Sequence, residues 1–272
     1  MWAFMCGVVS SGQSPWAHFP FVFLGILLAG PLVCATSQAV NDWYDRHVDA
    51  INEPNRPIPS GRIPGRWGLY IACIWTVLSL LVATSLGSWV LIAAAFGLAL
   101  AWAYSAPPLR LKQNGWWGNS AVAICYEGLP WFTGAAVMSG GLPDTRVIVL
   151  ALLYSLGAHG IMTLNDFKSV EGDQKMGVLS LPVHLGVDRA AKFACLVMAL
   201  PQFAVVYLLC AWGHLFYAMA IVGLLGGQLM LMVDLVASPR AKAPWYNATG
   251  TTLYVLGMLV SSFAIRASMG GP

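Results

Sequence analysis

Read for polarity alone, the chain is a succession of long apolar stretches separated by short polar ones. Apolar and small residues dominate 1–13, 19–40, 67–86, 89–105, 117–138, 146–164, 190–211, 214–236 and 248–267. A helix needs about twenty such residues to cross the hydrocarbon core of a bilayer, about 30 Å thick. The pattern therefore predicts an all-α integral membrane protein of about nine spanning helices, with the whole chain, 1–272, as one domain. The first stretch is the exception. Met1 to Gly12 is too short to cross, so either the chain begins inside its first helix or that segment is re-entrant. No basic segment precedes it, which argues against a signal peptide.

Composition agrees with the pattern: 58% of the 272 residues are hydrophobic and only 9% charged, with a mean hydropathy of +0.70. That balance lies outside the range of soluble globular domains. The 28 glycines and 16 prolines do not oppose helices here, because neighbouring membrane helices satisfy the backbone groups that proline frees. The six cysteines all fall within spans and lack CxxC spacing, so they read as small packing residues.

Charge changes the picture by its placement. Twelve of the 14 Lys and Arg lie in the connections after spans two, four, six and eight, and only Arg146 and Arg266 lie on the other side. The positive-inside bias then puts the ends of the even-numbered spans in the cytoplasm and the C-terminus outside. In a bacterium this places the chain in the inner membrane, with its polar connections as cytoplasmic caps. No nucleic-acid partner is expected, and protein partners stay open.

The acids are concentrated too. Directly after span two comes NDWYDRHVDAINEPNRPIPSGR, residues 41–62, with Asn41, Asp42, Asp45 and Asp49. If the helix continues past the bilayer boundary, Asp42, Asp45 and Asp49 stand at i, i+3 and i+7 on one face. Carboxylates so placed repel one another unless a cation sits among them. After span six, NDFKSVEGD repeats the signal, with Asn165, Asp166 and Asp173 matching Asn41, Asp42 and Asp49 in order and spacing, 124 residues later. The offset covers four spans, so spans one to four and five to eight read as two parallel four-helix repeats, plus one final helix. Two Asp-rich helix ends facing one central cavity suit two hard cations. Mg²⁺ prefers a few carboxylates plus phosphate oxygens, so the pattern points to a diphosphate bridged by Mg²⁺. A solvated helix end with surface ion pairs is the plain alternative for either cluster alone.

Basic residues flank the clusters. Tyr104, Arg110 and Lys112 lie in YSAPPLRLK at the end of span four, and Arg46, Arg56 and Lys168 lie in or beside the clusters. Cations there would neutralise charge on a departing diphosphate. The proline-rich stretch 53–62 forbids regular helix and is expected to form a lid, with Arg56 pointing inward. Glu127 and His159 are ionisable groups inside spans, where a packed neutral side chain weighs against a functional one.

NDxxDxxxD after one helix, a second Asp-rich motif four helices later and YSxxxxRxK between them resemble the UbiA superfamily of intramembrane prenyltransferases. The strings NDWYDRHVDAINEPNRPIPSGRI, YSAPPLRLKQNGWWGN and GAHGIMTLNDFKSVEGDQKMGVLSLPVHLG are similar to its chlorophyll synthase group, and the likeness runs along essentially the whole chain. The resemblance implies Mg²⁺-dependent transfer of a geranylgeranyl or phytyl group from its diphosphate to the propionate carboxylate of (bacterio)chlorophyllide. By this resemblance Asn41, Asp42, Asp45, Asp49, Asp166, Glu171 and Asp173 hold metal; Arg46, Arg56, Tyr104, Arg110, Lys112, Asn165 and Lys168 bind the diphosphate; and Asp42, Asp45, Asp166, Asp173 and Lys112 carry the catalysis. Glu171 enters this set because Ser169 stands where many relatives have an aspartate. Transfer to a quinone precursor or haem, and a transporter with parallel repeats, are the competing readings.

Overall fold

The computed structural model describes residues 1–270. It begins with a short helix, α1 (Trp2–Ser10). A composite helix over Phe19–Asn52 follows: α2 (Phe19–Leu27), a π-helical stretch Leu28–Cys34, and α3 (Ala35–Asn52). Pro31 lies inside the π stretch; proline has no N–H to give, and the wider π turn accommodates its loss. Next come α4 (Trp67–Leu86) and α5 (Ser88–Ser105), broken at Gly87, whose φ of 115° few side chains tolerate. A second composite helix joins α6 (Gly115–Ala123), a π stretch Ile124–Gly128 and α7 (Leu129–Ser139). Then follow α8 (Thr145–Asp166), the short α9 (Val170–Met176) and α10 (Leu181–Leu185), α11 (Val187–Ala211), α12 (Leu215–Ala237) and α13 (Pro239–Ser268).

Eight of these helices, counting each composite once, are long and apolar enough to cross a membrane. The expected first span is not among them: at nine residues, α1 reaches about 14 Å. It is instead an internal packing element, with Phe4, Cys6 and Val8 fully buried. Gly7 and Gly134 let α1 and α7 touch backbone to backbone. A Cβ on Gly7 would lie 2.0 Å from the Trp131 carbonyl oxygen, and one on Gly134 2.1 Å from that of Phe4. Small residues at helix crossings serve the same purpose in membrane bundles generally.

Neighbour order recurs along the chain, with α3 on α4 and α4 on α5, then α8 on α11 and α11 on α12. One core gathers Trp131, Tyr154, Met198, Leu209, Tyr246 and Tyr254; the other gathers Phe4, Val22, Leu28, Ala83 and Val90. Tyr207, Met230 and Val233 face outward, as suits side chains in contact with lipid rather than water. Among the described residues the only β-pairing is an isolated bridge between Asn114 and Leu179. It joins the connection after α5 to the one after α9, beside the ends of α3 and α8.

Candidate active site

The ends of α3, α5 and α8 and the connections that follow them enclose a polar cavity of about 450 Å³. Asn41 and Asp45 enter it from α3, Tyr104 from α5, Arg110 and Lys112 from the next connection, and Asp166, Ser169 and Asp173 from the end of α8 and α9. Arg110 sits at φ 38°, a left-handed conformation rare for a residue with a side chain. Lys112 is the hub of the first cluster: its Nζ lies 2.5 Å from both Asp45 carboxylate oxygens and donates to Asn41 Oδ1 at 3.1 Å. Arg110 approaches Asp45 at 3.7 Å, and Ser105 Oγ donates to Asn41 Oδ1 at 3.1 Å. Burial lowers the Lys112 pKa from the ordinary lysine value, and the Asp45 carboxylate opposes that shift.

The first acidic cluster divides between two sets of partners. Asp42 and Asp49 are not among the residues lining the cavity and share Arg56, whose Nη1 lies 3.2 and 3.1 Å from them. Glu53 holds the same guanidinium through Nε at 2.7 Å and raises the Arg56 pKa. Asp42, Asp45 and Asp49 lie on the regular helix α3, where i, i+3 and i+7 share one face, but they take different partners. Asp45 is drawn to the cations of the connection after α5, and the other two to the returning stretch 53–66, so each repulsion is relieved by a different partner. Arg56 reaches Asp42 and Asp49 from a stretch without regular helix and does not line the cavity.

In the second cluster Asn119 of α6, nearly buried, donates from Nδ2 to Asp166 Oδ2 at 3.0 Å, and Ser169 Oγ donates to Asp173 Oδ2 at 2.9 Å. Besides Asp42, Asp49 and Arg56, four residues assigned to the site by resemblance lie outside the cavity lining. Glu171 is exposed and ion-paired with Arg240 at the base of α13, because α9 turns it outward while Asp173 turns in; this corrects the expected metal set. Arg46 folds back on α3, 4.0 Å over the Trp43 ring and donating to the Trp43 carbonyl. Asn165 is exposed and accepts from Asn247 Nδ2 at 2.9 Å; Lys168 is exposed as well. The uncharged lining residue Asn119 was not legible beforehand, since only its contact with Asp166 of α8, 47 residues away, gives it a role.

Beyond Asn41 and Tyr104 the cavity changes character. These two residues also line a crevice with Ser37, Ala101, Cys125 and Tyr126, which continues past Val33, Gly97 and Pro130 to Leu28, Ala94 and Leu129. Both π stretches contribute to its walls, through Ala29, Val33 and Cys34 on one and Cys125 and Tyr126 on the other. The site thus has a charged, polar end and an apolar end.

The polar donors fit Mg²⁺. They are hard oxygens from Asn41, Asp45, Asp166 and Asp173 around one space, and among the described residues no three acid, His or Cys groups form a ready-made cage. Mg²⁺ characteristically binds through one or two carboxylates with water and substrate phosphates completing its shell.

A helical membrane bundle with an acid-lined head pocket opening into an apolar crevice has the architecture of an intramembrane prenyltransferase. The chain belongs to the UbiA prenyltransferase family, whose model matches residues 1–263, and it is accordingly an integral membrane enzyme. It is 61% identical to the bacteriochlorophyll synthase 33 kDa chain of Cereibacter sphaeroides over 98% of this chain and 88% of that one. It is 55% identical to the protein of the same name in Rhodobacter capsulatus, over the same shares of the two chains. Chlorophyll synthase of Avena sativa is 39% identical over 97% of this chain and 72% of its own. Among solved structures, a UbiA homolog from Archaeoglobus fulgidus bound to DMAPP and Mg²⁺ shares the fold with a TM-score of 0.72, at 20% identity over 98% of this chain and 96% of that one.

Proposed function

We propose that this chain esterifies the propionate carboxylate of (bacterio)chlorophyllide with a geranylgeranyl or phytyl group taken from its diphosphate, releasing diphosphate, in (bacterio)chlorophyll biosynthesis. The observation that carries the reading is the junction at Asn41 and Tyr104, where a pocket lined by Asp45, Arg110, Lys112, Asp166 and Asp173 opens into an apolar crevice. The 61% identity to a bacteriochlorophyll synthase chain supports the choice of acceptor.

Asn41, Asp45, Asp166 and Asp173 would hold Mg²⁺, in two ions bridging the diphosphate. When bound, the metal adds positive charge at the phosphate oxygens. Lys112 and Arg110 face the same oxygens and stabilise the leaving group as the C1–O bond breaks. The acceptor carboxylate forms the new C1–O bond, and the electron pair of the broken bond leaves with diphosphate. An ionised carboxylate has no proton to remove, so the site needs no general base. Asp42 and Asp49 act through Arg56, which ties the stretch 53–66 over the pocket as a lid. The chain works as one domain in the bacterial inner membrane, with the pocket facing the cytoplasm and the C-terminus outside, as the placement of Lys and Arg implies.

The test is mass analysis of products from purified protein given bacteriochlorophyllide with geranylgeranyl or phytyl diphosphate, with parallel reactions on 4-hydroxybenzoate and haem. An ester of the chlorophyllide is expected. Its absence, with prenylation of either alternative acceptor, would sink the proposal.

A further inference from the structure

We propose that Ser180 is a further diphosphate-binding residue, its hydroxyl donating a hydrogen bond to a phosphate oxygen of the prenyl diphosphate. This rests on the reading of the cavity as a diphosphate site and names a contact within it that neither the acidic motifs nor their flanking cations contain.

Ser180 lines the cavity with Arg110 and Lys112 and is 4% exposed, yet its Oγ has no hydrogen-bond partner. A buried hydroxyl left unpaired is costly, and native proteins seldom leave one so. Its position offers an ordinary use that it does not take. It stands at the N-cap of α10 but makes no side-chain capping bond, although serine is among the residues that best fill that role. The hydroxyl is thus held in the cavity wall with its donor unused.

The backbone around it is fixed. Leu179 N donates to Gln113 O at 2.9 Å and Gly115 N donates to Leu179 O at 2.8 Å, which stitches the Ser180 segment to the connection bearing Lys112. Gly115 has no room for a side chain, since a Cβ there would meet Leu181 N at 2.5 Å. Arg110 Nε, on the same connection and the same cavity, is also buried without a partner. Two buried donors with open valences beside an ammonium group fit an anion with several oxygens.

The experiment uses the full chain in detergent as wild type, Ser180→Ala and Ser180→Thr. Calorimetry measures binding of inorganic pyrophosphate with Mg²⁺, steady-state kinetics measure KM for geranylgeranyl diphosphate and for the acceptor, and thermal melts are run without ligand. Ser180→Ala is expected to bind pyrophosphate roughly tenfold more weakly, to raise KM for the diphosphate but not for the acceptor, and to melt no earlier than wild type. Ser180→Thr, which keeps the hydroxyl, is expected to restore binding. Unchanged pyrophosphate affinity in Ser180→Ala, or a lowered melting temperature that accounts for its loss, overturns the proposal and makes the hydroxyl structural. Failure of the wild type itself to bind pyrophosphate with Mg²⁺ removes the underlying diphosphate reading, a result distinguishable from failure of the Ser180 contact alone.

Discussion

Lys112 carries the densest set of contacts in the cavity, reaching Asn41 and both oxygens of Asp45. Its position beside the leaving group makes Lys112→Ala cost roughly a hundredfold to a thousandfold in turnover, read as kcat with saturating diphosphate. Arg56→Ala is expected to cut turnover while leaving the protein folded in detergent, because it frees Asp42 and Asp49 to repel each other and unties the proposed lid; wild-type activity would end that role. Asp144, far along α8 from the cluster, tests stability instead. Its Oδ1 accepts from Arg146 N at 2.8 Å as the cap of α8, and the hydrogen bonds from Arg146 lower its pKa. A carboxylate with a depressed folded pKa contributes stability above its unfolded value, near 3.9, and loses it as pH falls through the folded value. Asp144→Ala should therefore lose about 1 kcal/mol at neutral pH, with the difference from wild type shrinking in melts below about pH 4. Polarity alone exposed the acids as interruptions of apolar runs. Which partner each acid of α3 takes depends on cations 7 to 67 residues distant, and no local pattern records that.

At the level of helices, α11 and α12 are joined by a reciprocal pair of amides. Gln202 Nε2 donates to Gln228 Oε1 at 3.0 Å, and Gln228 Nε2 donates to Gln202 Oε1 at 2.9 Å, both side chains fully buried. Gln228→Leu alone leaves Gln202 Oε1 without its donor in an apolar layer, whereas Gln202→Leu with Gln228→Leu removes both polar groups. The single variant should therefore melt lower than the double in detergent, by an amount on the order of 1 kcal/mol; a double variant that melts lowest would refute the argument. The contact between α1 and α7 is stricter, and Gly134→Val should prevent the close approach and lower the yield of folded protein. Helix existence was legible from the apolar runs, and α8 and α11 begin and end near their expected limits. The short α1 was read as a truncated or re-entrant span because hydropathy reports length and not partners. The π stretches were hidden as well, since Pro31 marks one of them while nothing in ICYEG marks the other.

Across the whole molecule, the acids of two distant chain segments converge on one cavity, so removing divalent metal acts on both halves at once. Chelation with EDTA is expected to abolish ester formation and to leave the helical circular dichroism unchanged, with Mg²⁺ restoring turnover. Helical signal lost along with activity would instead make the metal structural. The architecture was readable because the repeated Asn–Asp signal and the runs of apolar residues are both long-period features. The crevice was not, since it arises where α3, α5 and the second composite helix fail to close on one another. Its change from polar to apolar along its length has a further consequence. Bond cleavage at that boundary divides an amphiphile into a fragment that prefers water and a product that prefers lipid, so each departs into its own phase, and the bilayer itself disfavours their recombination.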